Sequence, residues 1–302
     1  LRLPKNYRST QTILDAAYSV IANNKNHPVL KLEAVKSFGE KIDMVEVIDE
    51  KEEAAYVVSV AERLSATGGS LAVLYRTNAQ SRAIEEALIR RKIDYKLVGG
   101  IRFYDRAEIK DLLAYLRVIY NADDLVSWQR VEGLGKRNKT KFEIWLATER
   151  GRLLEKYPHE LLQEIIDQTG YLSRFNDRDE EDAARVENIR ELLAVASEQP
   201  DLTAFLESVA LIQSEELAER KAGKALVTMM TIHAAKGLEF PIVFMVGLVS
   251  DRFPSRERAD QLPLPAELIK EILPSGDFHI QEERRLFYVG STRAKNKLYY
   301  TW

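Results

Sequence analysis

At 302 residues the chain is long enough for about two domains, each with its own core, and 45% hydrophobic with 30% charged residues is an ordinary globular balance. It contains no cysteine, which excludes disulfides, iron–sulfur clusters and cysteine zinc sites, and its four histidines stand in separate contexts without metal-ligand spacing. The net charge of −3 means that any nucleic-acid binding must come from a local groove and not from a globally basic surface.

The chain opens on a strand-like Leu1-Arg2-Leu3 without an initiator Met, which suggests a fragment and is no signal peptide. Ser9 is placed to cap a helix whose apolar stripe is Ile13, Leu14, Ala17, Val20 and Ile21. Met44 to Ile48 reads as a strand, Glu52 to Leu64 as a helix, and Leu71 to Tyr75 as a buried strand. A helix from about Ser81 to Arg91 follows, then a short strand, Tyr95 to Val98, ending in Gly99-Gly100. The next helix carries Ile109, Leu112, Leu113 and Leu116 on one face. Alternating strands and helices predict a parallel sheet covered on both sides.

From about Asp123 to Gly223 the pattern is amphipathic helix with almost no strand signal. One stripe is Val186, Ile189, Leu193 and Ala196; another is Phe205, Leu206, Val209 and Ile212. Strands return at Leu226 to Thr231, Ile242 to Val246 and Lys297 to Thr301. A helical block between two halves of an α/β pattern reads as an inserted domain. Asp251 to Phe278, rich in proline, reads as an irregular surface excursion. No apolar run approaches the ~20 residues of a membrane span, so the reading is a cytoplasmic protein with no membrane partner. The lack of cysteine fits that compartment.

Three segments concentrate chemistry-bearing residues: Asn6-Tyr7-Arg8-Ser9-Thr10, Thr231-Ile232-His233-Ala234-Ala235-Lys236-Gly237-Leu238-Glu239-Phe240, and Glu282-Glu283-Arg284-Arg285-Leu286-Phe287-Tyr288-Val289-Gly290-Ser291-Thr292-Arg293-Ala294. In this order they resemble the fourth and the last two signature motifs of the UvrD/PcrA/Rep family of superfamily 1 DNA helicases. The resemblance covers most of the chain. It implies an α/β fold, a RecA-like parallel sheet flanked by helices and interrupted by an all-α inserted domain. Residues 1–122 and 224–302 would form the second RecA-like helicase domain, and 123–223 the inserted helical domain.

The resemblance also assigns roles. Transfer of a γ-phosphoryl group needs positive charge as the transition state forms, and Arg8 and Arg293 match the family's two arginines with that task. Tyr7 matches the tyrosine that stacks on adenine, and Glu239, beside Gly237, the acid that binds the ribose. Thr231 and His233 would contact single-stranded DNA phosphates, with Lys236 adding charge. Backbone contacts of this kind hold a strand without reading its sequence. Tyr75-Arg76-Thr77-Asn78 and Gly99-Gly100 match accessory motifs, with Arg76 and Asn78 at an exposed strand end and Gly99 letting the backbone approach DNA. The blander alternatives are arginines paired with carboxylates, a core Tyr7 and a structural His233. In the insert, Gly133-Leu134-Gly135-Lys136-Arg137-Asn138-Lys139-Thr140-Lys141 is a loose counterpart of a duplex-gripping loop.

No Gly-x-x-x-x-Gly-Lys-Ser/Thr loop occurs in the chain. The expected cofactors are ATP and Mg²⁺, whose triphosphate cradle and metal ligands would lie in an N-terminal RecA-like domain of the same protein. The implied function is the C-terminal half of an ATP-dependent 3′-to-5′ DNA helicase of repair or replication. It would act on single-stranded DNA and at single-strand/duplex junctions. Two other readings stay open: a nucleic-acid-binding module that never hydrolyses ATP, and the helicase part of a recombination helicase–nuclease.

Overall fold

The computed structural model describes residues 3–24, 30–36, 38–176, 179–219, 225–255 and 278–302. Most of the strand-like start at 1–3 and of the excursion at 251–278 lies outside them. In chain order the elements are β1 (Lys5–Asn6), α1 (Gln11–Ile21), β2 (Glu33–Ala34), β3 (Asp43–Val45), α2 (Glu50–Ser65), β4 (Leu71–Tyr75), α3 (Ser81–Arg90), β5 (Tyr95–Leu97), α4 (Ala107–Tyr120), α5 (Leu125–Gly133), α6 (Lys136–Leu153), α7 (Pro158–Thr169), α8 (Glu180–Ser197), α9 (Leu202–Glu219), β6 (Val227–Thr231), β7 (Phe240–Met245), α10 (Phe278–Ser291) and β8 (Ala294–Thr301). They fall into two compact units, Leu1–Gly100 with Ala222–Trp302, and Ile101–Lys221.

The first unit is built on a six-stranded sheet in the order β3-β8-β7-β4-β6-β5, with every pair parallel. A central strand of such a sheet is covered on both faces and reads as a continuous apolar run. Every residue of β4 is accordingly buried. The period of two sorts the neighbouring strands. Ala72, Leu74, Met245 and Tyr300 join the core that includes Ile13 of α1 and Leu286 of α10. Phe244 and Tyr299 point the other way, stack with centroids 4.3 Å apart, and meet the ring of Tyr56 on α2 edge-on.

Helix starts follow short-range chemistry. The Asp49 carboxylate accepts from the backbone N–H groups of Lys51 and Glu52 and caps α2. At α1 the cap position belongs to Thr10, not Ser9. The Ser9 hydroxyl donates instead to the Ala294 carbonyl at 2.7 Å, which ties the N-terminal segment to the start of β8.

The second unit is helical. α4 carries its stripe, Ile109, Leu112, Leu113 and Leu116, fully buried and packs on α5, α7 and α8, so residues 101–122 group with the helical unit rather than with the sheet. Asp111 on α4 accepts from Arg130 Nε at 2.7 Å and from the Tyr171 hydroxyl at 2.6 Å. On α8 Leu192 replaces the expected Leu193 in the buried stripe.

One buried acid in the sheet unit has a testable consequence. Glu53 on α2 accepts from the Gly247 N–H at 2.8 Å and the Thr301 hydroxyl at 2.5 Å. Burial outweighs these bonds and raises its pKa above the ordinary 4.5. A carboxyl raised on folding contributes stability below its unfolded value and loses it as pH rises through the folded value. Glu53→Gln keeps an acceptor for both donors and cannot ionise. Its melting temperature should therefore rise relative to wild type as the pH is taken from 4.5 to neutrality. Parallel melting curves across that range would refute the coupling.

Candidate functional site

Because the strands are parallel, all of their starts lie along one edge of the sheet and all of their ends along the other. Glu239 immediately precedes β7 and Arg293 immediately precedes β8. Phe240 pairs with Ala294 in register, and the Phe240 N–H donates to the Arg293 carbonyl at 3.0 Å. Arg8 reaches the same edge from β1. The Asn6 side-chain oxygen accepts from the N–H groups of Arg8 and Ser9, both at 2.9 Å, folding the turn that projects Tyr7 and Arg8.

There the charged groups converge. Arg8 Nε donates to Glu239 Oε2 at 2.8 Å, and Lys295 Nζ sits 2.5 Å from Glu239 Oε1. Arg8 Nη1 reaches the Thr292 carbonyl at 3.4 Å. Arg293 is anchored by backbone, donating through Nε to the Val289 carbonyl at 2.9 Å and through Nη1 to the Leu238 carbonyl at 3.2 Å. The two cations, Lys295 first and Arg8 second, hold the Glu239 carboxyl down to about 2. Partial burial, followed by the nearby charge of Arg8, lowers the Arg293 guanidinium. Three cations thus face one carboxylate, a donor set suited to a polyanion. The Tyr7 ring is 73% exposed, so it is not a core tyrosine and its face is open to a flat ligand.

Glu239 is therefore paired twice. Gly237 lies just before it, exposed and at φ +89°, a conformation that other residues adopt only with strain.

Along the opposite edge, Thr231 ends β6 and Arg76 follows β4, with Tyr75 and Thr231 in register. The Ile232 N–H donates to the Tyr75 carbonyl at 2.9 Å, and the Thr231 hydroxyl oxygen accepts from the Ala234 N–H at 3.2 Å. Gly99, past the end of β5, takes φ +72° and brings its backbone beside Ala234; a Cβ added there would stand 3.7 Å from that methyl. Asn78 lies beside Gly100. His233 and Lys236 are exposed. Arg76, Asn78, Gly99, Thr231 and His233 thus assemble on this edge. The connection 232–239, which includes Lys236 and Gly237, runs from it to the edge holding Glu239.

Arg76 differs from the expectation of an open strand end. Its Nε donates to Glu283 Oε1 at 3.0 Å and Oε2 at 3.3 Å. In the insert, the exposed Lys136 and Arg137 open α6 behind Gly135, and Lys139 pairs with Glu132 and Glu143. No three carboxylate or histidine side chains come together as a metal site among the described residues.

Four contributors carried no weight in the sequence. Asn6 shapes the Tyr7-Arg8 turn, and Gln80 Oε1 accepts from the N–H groups of Arg76 and Thr77 at 2.8 and 3.0 Å. Glu283 holds Arg76, and Lys295 holds Glu239. Thr77 with Gln80 three residues on is a capping-box spacing and was open to detection. The Lys295 contact depends on strand register and was not.

The family described as UvrD-like helicase C-terminal domain matches residues 1–159 and 139–302. The chain is 35% identical over 350 residues to "DNA helicase II" of Rickettsia typhi (strain ATCC VR-144 / Wilmington), covering 100% of this chain and 50% of that protein. It is 36% identical over 353 residues to "ATP-dependent DNA helicase PcrA" of Bacillus subtilis (strain 168), covering 99% of this chain and 46% of that protein. The chain spans about half the length of the relatives it matches.

Proposed function

This chain belongs to the UvrD-like helicase C-terminal domain family, and we propose that it is the second RecA-like domain, with its helical insert, of an ATP-dependent 3′-to-5′ DNA helicase. The observation that carries the reading is the connection 232–239. At its start stand Thr231 and His233 beside Asn78 and Gly99; at its end Glu239 joins Arg8 and Arg293 on the other edge of the sheet. A strand of DNA pressing on one edge is thereby linked to groups suited to a nucleotide on the other through one short segment.

Arg8 and Arg293 would each present guanidinium charge to the γ-phosphate, Tyr7 would stack on the base, and Glu239 would accept from the ribose. Bound ATP supplies the phosphoryl group whose transfer releases the energy. The chain's own task is to bring charge to it only when this domain closes on its partner. The partner would be an N-terminal half of the same protein carrying the phosphate loop and the Mg²⁺ ligands. The relatives' greater length supports that arrangement. The presence of two arginines beside a ribose-type acid favours a hydrolase over a module that only binds nucleic acid.

The expected results are twofold. The chain by itself binds single-stranded oligonucleotides weakly, at about 10⁻⁴ to 10⁻⁶ M or weaker at physiological salt, without base preference, and does not turn over ATP. The full-length protein hydrolyses ATP in a manner stimulated by single-stranded DNA and unwinds 3′-tailed but not 5′-tailed duplexes. Fluorescence anisotropy, steady-state ATPase and tailed-duplex assays check these. Helicase-like turnover by the chain alone, or none in the full-length protein with DNA, would overturn the reading.

A further inference from the structure

The Glu239 carboxylate divides its two oxygens between two cations. Oε1 faces Lys295 Nζ at 2.5 Å, while Oε2 accepts from Arg8 Nε at 2.8 Å. A carboxylate beside a guanidinium favours the two-bond fork, in which both oxygens take parallel N–H donors. Here the second oxygen is occupied, and Arg8 is engaged by Nε alone, with Nη1 at the Thr292 carbonyl. The arrangement follows from register: Phe240 pairs with Ala294, so the residue before β7 and the second residue of β8 are neighbours. All three side chains are partly exposed, and exposed ion pairs of this kind contribute little to folding. A role in stability therefore does not account for the lysine.

Resting on the nucleotide-site reading above, we propose that Lys295 is a positioning residue that keeps Glu239 from clamping Arg8, leaving the arginine able to turn its terminal nitrogens to a phosphate. It acts through Glu239 and touches neither substrate nor reacting atoms. Without Lys295, Oε1 is released to join Oε2 on the Arg8 fork. Arg8 must then break a second charge-assisted bond before each hydrolysis, and the effect falls on kcat rather than on KM for ATP.

The test is a double-mutant cycle in the full-length protein. Lys295→Met should lower kcat roughly tenfold or more, the size of one charge-assisted bond, with KM for ATP little changed, and Lys295→Arg should restore it. Placed in a Glu239→Gln background, where no carboxylate exists to clamp the arginine, Lys295→Met should have no further effect on kcat. A second readout needs no turnover. In the isolated chain, ¹⁵N NMR of the Arg8 guanidinium should show slowed rotation in Lys295→Met and not in the double variant. An unchanged kcat in Lys295→Met, a loss confined to KM, or a full loss persisting beside Glu239→Gln would overturn the inference while leaving the helicase reading intact. A full-length protein without DNA-stimulated ATPase would overturn both.

Discussion

Replacing Arg8 or Arg293 by Ala in the full-length protein should cut the rate constant for ATP hydrolysis by roughly a thousandfold or more, the low end for arginine fingers in related phosphoryl transfers. Affinity for nucleotide and for single-stranded DNA should change far less, because the lost charge matters most where charge develops in the transition state. The two arginines are held differently, and that predicts a difference between their lysine variants. Arg293 is fixed by two backbone carbonyls, through Nε and Nη1, a geometry an ammonium cannot copy. Arg8 is held through Nε by a side chain, Glu239, which a lysine can still approach as a point charge. Arg293→Lys should thus resemble the alanine variant, while Arg8→Lys should retain part of the coupling to Glu239 and still hydrolyse slowly. Neither change removes a buried apolar group, so melting temperatures should stay near wild type. Single-turnover hydrolysis at saturating DNA is the measurement. Near-normal turnover in either alanine variant would demote that arginine to a structural role.

The sheet was legible because its strands are short apolar runs bounded by glycine or charge. Leu71 to Tyr75 is buried at every position, as a continuous apolar strand in a two-sided parallel sheet must be. The inserted helices were legible from their stripes: on α8 the expected Ile189 and Ala196 are buried, while Leu192 takes the buried place expected for Leu193, and Val186 and Leu193 are half-buried. What the sequence could not show is which long-range partner each charged group finds. Glu239 reads as unpaired until the β7–β8 register sets Lys295 beside it and the Asn6 turn delivers Arg8. Ser9 reads as a helix cap from its neighbours alone, yet its hydroxyl serves a carbonyl 285 positions away. Local patterns fix elements, whereas pairings across the sheet depend on topology. The placement of the two residue groups on opposite edges follows from the parallel strand direction, and only the strand order shows which loops share an edge.

Arg76 is where that difference changes an experiment. Read as an open strand end, it would be a phosphate contact, and Arg76→Ala would make the salt dependence of DNA binding shallower by about one phosphate. In the structure its guanidinium is bonded to Glu283, whose side chain is only 3% exposed. Glu283 Oε2 also accepts from the Ser255 N–H at 2.9 Å, so Glu283 ties α10 both to the end of β4 and to the segment after β7. Removing one member of such a pair strands a charge in a place with little water. Because Arg76 itself is 23% exposed, solvent replaces part of what is lost. The cost should lie at the lower end for broken buried pairs, about 3 kcal/mol, seen as a fall of roughly 5–10 °C in melting temperature. Adding Glu283→Gln should recover most of it, since a neutral amide still accepts from Ser255 and no longer needs a cation. In that double variant the salt slope of oligonucleotide binding should match wild type. A stable Arg76→Ala protein whose salt slope is shallower by about one phosphate contact would instead return Arg76 to the DNA surface and leave Glu283 as its resting partner in the absence of DNA.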